Sequence, residues 1–327
     1  MTRARRVLFL FVDGVGIGPD DRDTNPLAAA DLPALTELLG GRRPVAQPAS
    51  RSDPVTHHAA DTDRSAPRGR AFLSLDACLG VPGLPQSGTG QSALLTGVNA
   101  PALLGRHDGP YPAAPLKPLL AEASLWHRLT TAGRRVALAN AYPDRYLDRA
   151  RLGTGRMGAV ARSALLAGVR LRGPDDLRRK RAVSAFLTNS GWREHLGYGD
   201  MPDVGEADAG RALARLAGEH DFTLFEHYAA DLAGHRPDRW RPREVLEALD
   251  RFLGGVLAAW PAEDVLVLAS DHGNVEDGTT GRHTLNPALG AWRGPAPARL
   301  PLALTDVAPA VLEVLGVGDP AAHASSE

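Results

Sequence analysis

The sequence predicts an α/β fold, doubly wound about a mostly parallel sheet, with a small helical insertion. Three observations predict it. Short apolar runs recur that are nearly continuous rather than alternating, as suits strands buried on both faces. Helix-like segments lie between them, and strand–helix alternation builds parallel sheets. The chain has 327 residues and is 43% hydrophobic, enough for a full core in one large domain or one domain with an insertion.

The elements follow in chain order. VLFLFV (7–12) is a strand. The basic residues before it imitate a signal peptide, but the apolar run is short and Asp13, not a small-residue cleavage site, follows it. Residues 25–40 read as a helix, and 42–70, rich in Pro, Ser, Ala and Arg, as an irregular exposed loop. His57 and His58 in that loop read as solvated rather than metal-bound. GLPQSGTGQSALLTG (83–97) reads as a loop leading into a helix near Gln91, and 116–133 as a further helix. RVALAN (135–140), FTLFEHY (222–228), VLVLAS (265–270) and LPLALT (300–305) read as strands. Helices are expected at 204–220, 241–260 and 305–316, the last capped by Thr305 or Asp306 and ended by Gly316. Residues 145–202 are Arg-rich and helical in pattern, with no convincing core strand. They read as a small cap inserted between core segments 1–144 and 203–327.

Composition excludes several classes. A net charge of −1 supplies no field to gather nucleic acid or an anionic membrane, and no apolar stretch approaches a membrane span. One cysteine, Cys78, allows no disulfide within the chain, which fits a reducing compartment; the cytoplasm is the expected location. Of the 37 basic residues only Lys117 and Lys180 are lysines, so arginine is a habit of this composition and no single arginine is a signal by itself.

After the first strand comes DGVGIGPD (13–20). It is not a dinucleotide fingerprint, which needs G-x-G-x-x-G leading directly into a helix. Here the glycines are Gly14, Gly16 and Gly18, and the helix starts only near Pro26 or Leu27. A phosphate-binding P-loop would need a lysine that is absent. What recurs instead is acid and imidazole after strands: Asp13 after the first, Asp231 and His235 after FTLFEHY, Asp271 and His272 after VLVLAS, then His283. In open α/β sheets ligands sit outside the carboxyl ends of the strands. Asp231 and His235 are four apart, so one helical turn puts them on one face. Three carboxylates with three imidazoles suit divalent transition ions such as Zn²⁺ or Mn²⁺ and suffice for two. Crowded together without metal, the carboxylates would repel and raise their own pKa values. Each residue alone reads equally well as a polar residue at a loop start; together they do not. For a nucleophile the loop offers Ser87, Thr89 and Ser92, near a helix N-terminus that favours phosphate oxygens. The plainer reading of Ser87 or Thr89 is an N-cap.

These motifs resemble the alkaline phosphatase superfamily, on the branch of cofactor-independent phosphoglycerate mutase and phosphopentomutase. The matching stretches are Asp13-Gly14, Ser87-Gly88-Thr89-Gly90-Gln91, Asp231-Leu-Ala-Gly234-His235, Asp271-His272-Gly273-Asn274 and His283-Thr284-Leu285-Asn286-Pro287. The resemblance covers about 1–140 and 204–316. It implies an alkaline-phosphatase-like fold and two divalent metal ions, one held by Asp13, Ser87, Asp271 and His272, the other by Asp231, His235 and His283. It further implies Ser87 as nucleophile and a small phosphorylated metabolite as substrate. Thr89 and Gln91, and with them His107, Lys117 and Arg145, become candidates for touching substrate, although solvation is the plainer reading of the last three. The chain departs from the branch in two ways. Gln91 stands where the mutases carry histidine, and the large substrate domain of phosphoglycerate mutase is missing. The core chemistry therefore carries over, while substrate and mutase outcome do not. Two rivals stand beside this reading: a phosphodiesterase, nucleotide pyrophosphatase or sulfatase of the same superfamily, and a non-catalytic metal-binding domain. The sulfatase pattern C/S-x-P-x-R is not matched at Ser87.

Overall fold

The computed structural model describes residues 5–46 and 69–318. His57, His58 and most of the stretch expected as an irregular loop lie outside the described residues. Six strands form one sheet: β1 (Val7–Val12), β2 (Arg70–Leu75), β3 (Val136–Leu138), β4 (Phe222–His227), β5 (Val265–Ala269) and β6 (Ala288–Arg293). Their order is β2-β6-β5-β1-β4-β3. β3, β4, β1 and β5 pair parallel, and β6 runs antiparallel to both its neighbours.

β1 is buried along its whole length, and its period of two divides it between two apolar layers. Val7, Phe9 and Phe11 join one layer with the helices Ser87–Thr96, Leu125–Thr131, Ala159–Leu166 and Leu304–Val314. Leu8, Leu10 and Val12 join the other, under the helices Pro33–Leu38, Glu206–Ala217 and Pro242–Ala259. The sheet is thus wound on both faces and mostly parallel, as the continuous apolar runs predict.

Several expectations need correction. LPLALT is not a strand: Leu304 already begins a helix, and Ala303 makes only an isolated bridge to Asp76. The carboxylate of Asp306 accepts from the N–H groups of Leu302 (2.9 Å) and Ala303 (3.0 Å), so Asp306 satisfies the helix start from its first turn, not from the cap position. Gly316, at φ +67°, does end this helix. β2 and β6 were not expected. The helix expected at 25–40 is two, Pro26–Ala29 and Pro33–Leu38, because Pro33 drives Leu32 out of helical geometry, to φ −127° and ψ 58°. The helix expected at 116–133 also divides, at Ser124, whose hydroxyl accepts from the His127 N–H. The helix expected near Gln91 starts four residues earlier, at Ser87.

Residues 145–202 contain no strand. The helix Ala159–Leu166 buries Val160 and Ala164 in the first apolar layer. Leu177, Ala182, Trp192 and Met201 form a small cluster of their own with Ala141. No helix among the described residues is long and apolar enough to cross a membrane.

Candidate metal centre

The carboxyl ends of β1, β4 and β5 deliver the acids and imidazoles to one place. Asp13 follows β1 and is tied to the neighbouring strand by its N–H, which donates to His227 O (2.9 Å). β4 runs into the helix Ala229–His235, which carries Asp231 and His235 one turn apart. β5 ends just before Asp271 and His272, both fully buried. His283 arrives on the loop before β6, and Ser87 is the first residue of its helix.

Two groups form. In the first, His272 Nε2 lies 3.0 Å from Ser87 Oγ, 3.3 Å from Asp13 Oδ1 and 3.5 Å from Asp271 Oδ2. In the second, Asp231 Oδ2 lies 3.4 Å from His235 Nε2, and Asp231 Oδ1 lies 3.6 Å from His283 Nε2. The His272 and His283 rings stack, centroids 3.8 Å apart, and join the groups. All seven residues expected as ligands are therefore neighbours.

Close backbone approach makes this possible. Gly14, at φ +72°, passes so near the helix Ala229–His235 that a Cβ would stand 2.6 Å from Asp231 Oδ1. Gly90 does the same on the helix Ser87–Thr96, where a Cβ would stand 2.8 Å from Asp271 O. Neither position admits a side chain.

Crowding shifts the titrations. Burial, then the Asp13 charge, pushes Asp271 well above the carboxylate range. Burial opposes charge on His272, but Asp271, Asp13 and Asp231 outweigh it and raise the imidazole to about 10. Asp231 resists its burial through a hydrogen bond from His283, the charge of His272 and the Asn274 amide, and falls to about 2. These groups hold protons that a cation would displace.

The donor set fits divalent cations. Asp13 Oδ1 and Asp271 Oδ2 are buried without a hydrogen-bond partner. His283 Nδ1–H donates to Pro85 O (2.6 Å) and His235 Nδ1–H to Gly281 O (3.0 Å). In its neutral form each ring would turn an Nε2 lone pair inward, and the two Nε2 atoms stand 3.1 Å apart. Two lone pairs at that distance need a cation or proton between them. Backbone carbonyls on the far nitrogens are also how metal-ligating histidines are oriented.

A cleft of about 1110 Å³ opens beside Asp13, Ser87 and Asp231, and is also lined by residues of 145–202, among them Arg145, Arg149, Arg156 and Trp192. Gln91 lines it and donates through Nε2 to Asp13 Oδ2 (3.3 Å). The structure does not bring Thr89, His107 or Lys117 to this cleft. The Thr89 hydroxyl donates to Gln86 O, and His107 bonds Val81 O. Ser92 donates to Gly88 O within its helix, so of the three candidate hydroxyls only Ser87 faces the acids.

Sequence reasoning missed four kinds of residue here. Asn274 donates to Asp231 Oδ1 (2.7 Å); its place in D-H-G-N was the available signal. Glu276 ties the surrounding loops together behind the ligands. Arg149 and Arg156 line the cleft, hidden by the chain's arginine habit. Glu226 and His227, at the end of β4, line it as well. Burial, then Asp13, raises Glu226 to about 8, while burial, against the Ala185 carbonyl, lowers His227 to about 4.

Comparison with known proteins agrees with this geometry. Residues 200–317 match the family model described as the metalloenzyme superfamily. The chain is 34% identical over 143 residues to a 2,3-bisphosphoglycerate-independent phosphoglycerate mutase of Halobacterium salinarum, a match covering 37% of this chain and 28% of the relative. It is 44% identical over 71 residues to a phosphopentomutase of Chromohalobacter salexigens, covering 21% of this chain and 17% of that one. The chain thus spans well under a third of the curated relatives it matches. A solved protein of Pyrococcus horikoshii shares the fold with a TM-score of 0.54 at 12% identity, over 98% of this chain and 99% of that one. Over residues 200–317, and in the relatives matched, the chain is thus similar to members of the metalloenzyme superfamily, and its assembled acids and imidazoles agree with that similarity.

Proposed function

We propose that the chain is a two-metal phosphoryl-transfer enzyme that acts on a small phosphate monoester through a phosphoserine at Ser87. The observation that carries this reading is the placement of Ser87 Oγ: at a helix start, 3.0 Å from His272 Nε2, facing both groups of ligands at the head of a cleft. Asp13, Ser87, Asp271 and His272 would hold one ion, and Asp231, His235 and His283 the other, with Mn²⁺ or Zn²⁺ suiting the donors. Bound divalent ions would acidify a coordinated hydroxyl and offset charge on phosphoryl oxygens.

The chain's own residues do the rest. The first turn of the helix Ser87–Thr96 points its N-terminal dipole at the attacking oxygen and at the phosphate. Ser87 Oγ forms the new bond to phosphorus as the ester oxygen leaves in line. Gln91 and Asn274 hold the carboxylates of Asp13 and Asp231 in place. The phosphoserine then passes its phosphoryl group to water, a phosphatase outcome, or to a hydroxyl of the retained alcohol, a mutase outcome. Residues 145–202, as a cap over the cleft, would decide between them by excluding water.

Metal-reconstituted protein, screened against monoesters, diesters and sulfate esters for released phosphate and for isomers, should favour monoesters. Ser87→Ala should abolish turnover while the protein still binds metal. Near-wild-type phosphatase activity in that variant removes the assignment.

A further inference from the structure

Thr89 and His107 stand away from the cleft and have no part in the chemistry above. Both hold one loop. Residues 105–111 run across the start of the helix Ser87–Thr96, and their carbonyls press on it. A Cβ at Gly88 would stand 2.6 Å from Tyr111 O and 2.7 Å from Asp108 O. From the loop's side, a Cβ at Gly109 would stand 3.1 Å from Gln86 Cβ and 3.3 Å from Ser87 N. Thr89, fully buried, ties the two surfaces together. Its N–H donates to Asp108 O (2.9 Å), and its hydroxyl accepts from Asp108 N–H (3.2 Å). The same hydroxyl donates to Gln86 O (3.1 Å). At the loop's other end half-buried His107 donates from Nε2 to Val81 O (3.1 Å), on the segment that leads into Gln86 and Ser87.

A helix start leaves its first N–H groups without partners inside the helix, and here the cap residue Gln86 makes no side-chain cap bond. Asp108 O supplies an acceptor from outside. The two residues before Ser87 are held as well. Pro85 O accepts from His283 Nδ1–H (2.6 Å), and Gln86 O from the Thr89 hydroxyl. Such fixing matters because Ser87 Oγ must meet phosphorus in line, and a displacement of about 1 Å costs a reaction about 100-fold. The loop also reaches the cleft. Pro110 and Tyr111 line it, and the Arg156 guanidinium lies 5.9 Å from the centre of the Tyr111 ring. One loop therefore touches the helix of the reacting serine on one side and residues of 145–202 on the other.

We infer that Thr89 and His107 are positioning residues, which brace residues 105–111 against the start of the helix Ser87–Thr96 and so set where Ser87 Oγ stands, without touching substrate or metal. The inference rests on the reading of Ser87 as nucleophile. Thr89 holds the nearer end. Its hydroxyl acts as donor and acceptor at once, which a serine repeats and a valine of the same shape cannot. His107 holds the farther end through one bond. Loosening either end should slow bond formation at phosphorus, and leave binding of phosphate and metal in place, because Asp13, Asp231, His235, Asp271, His272 and His283 belong to other segments.

The test is kinetic, on the full chain loaded with Mn²⁺ and with an aryl phosphate as substrate. Thr89→Val should lower kcat about tenfold to a hundredfold, with KM, inhibition by inorganic phosphate and metal content each within about twofold of wild type. Thr89→Ser should keep kcat within about threefold. His107→Leu should lower kcat by about three- to tenfold and add little to Thr89→Val, since both act through one loop. A kcat within about twofold of wild type in Thr89→Val overturns the inference. So does a loss that Thr89→Ser repeats in full, or one that takes metal or phosphate binding with it, the mark of general destabilisation. Should Thr89→Val fail to fold, an unchanged kcat in His107→Leu overturns the inference by itself. Failure of the Ser87 reading shows separately, as turnover that survives Ser87→Ala. Wild-type protein that turns over no phosphoester removes both.

Discussion

Glu276 organises the acids and imidazoles of the candidate metal centre without joining them. Its buried carboxylate accepts from Gly16 N–H (2.9 Å), Asn274 N–H (2.8 Å), Asn286 Nδ2 (3.1 Å) and the Thr284 hydroxyl. These partners sit on the loop after β1, the loop after β5 and the segment that carries His283, so one side chain fixes three approaches to the centre. Glu276→Ala leaves those donors buried and unpaired, and should weaken metal binding by about 10- to 100-fold in competition with a chelator. A change below about twofold would confine Glu276 to a packing role. No pattern in the sequence marks Glu276, because its role lies in loops that meet only in three dimensions. Asp13, Asp231, Asp271 and His272 were legible because each follows a strand whose apolar run is plain. Glu226 was invisible for the opposite reason: it lies inside the run FTLFEHY, where it reads as an interruption of a strand.

Among the elements, the short helix Pro33–Leu38 shows how stability is lent across the fold. It has no cap of its own, since Leu32 offers no side-chain acceptor. Asp250, on the helix Pro242–Ala259, supplies one, accepting from Leu35 N–H (2.7 Å) and Ala34 N–H (3.2 Å). Asp250→Ala should cost about 1–2 kcal/mol in urea unfolding, with Asp250→Asn recovering part of it. The central strands β1, β4 and β5 could be read in the sequence because burial on both faces makes them continuously apolar. β6 could not: its six residues, ALGAWR, include a glycine and end in arginine, and β2 follows directly on a Pro- and Ser-rich stretch. The two helix breaks at Pro33 and Ser124 were signalled by residue type, yet an apolar periodicity running through both concealed them.

For the whole molecule, metal and proton compete for the same atoms. In the metal-free protein His272, held up to about 10, contributes stability that is fully present below its unfolded value of about 6.5 and is lost as pH rises towards 10. Metal binding gains over the same interval, because fewer protons must leave. The difference in Tm between Mn²⁺-loaded and EDTA-treated protein should therefore widen from pH 6.5 to 9. At metal concentrations near a hundred times Kd the gain is about 3 kcal/mol, or several degrees for a chain of this size. Calorimetry showing a difference that is flat or shrinks with pH would contradict the proton-holding cluster. The pairing of β1 has a further consequence, for synthesis. This strand lies at the sheet's centre, yet its partners are Val7↔Phe222 on one side and Val7↔Val265 on the other. An emerging chain carries its most apolar strand unpaired until more than two hundred residues have followed, and it keeps one bare edge until β5 arrives. Such long-range pairing folds slowly and is open to aggregation. Chains cut short before β5 should therefore be found with chaperones or in aggregates, because the metal centre closes only when the first and last thirds of the sequence meet.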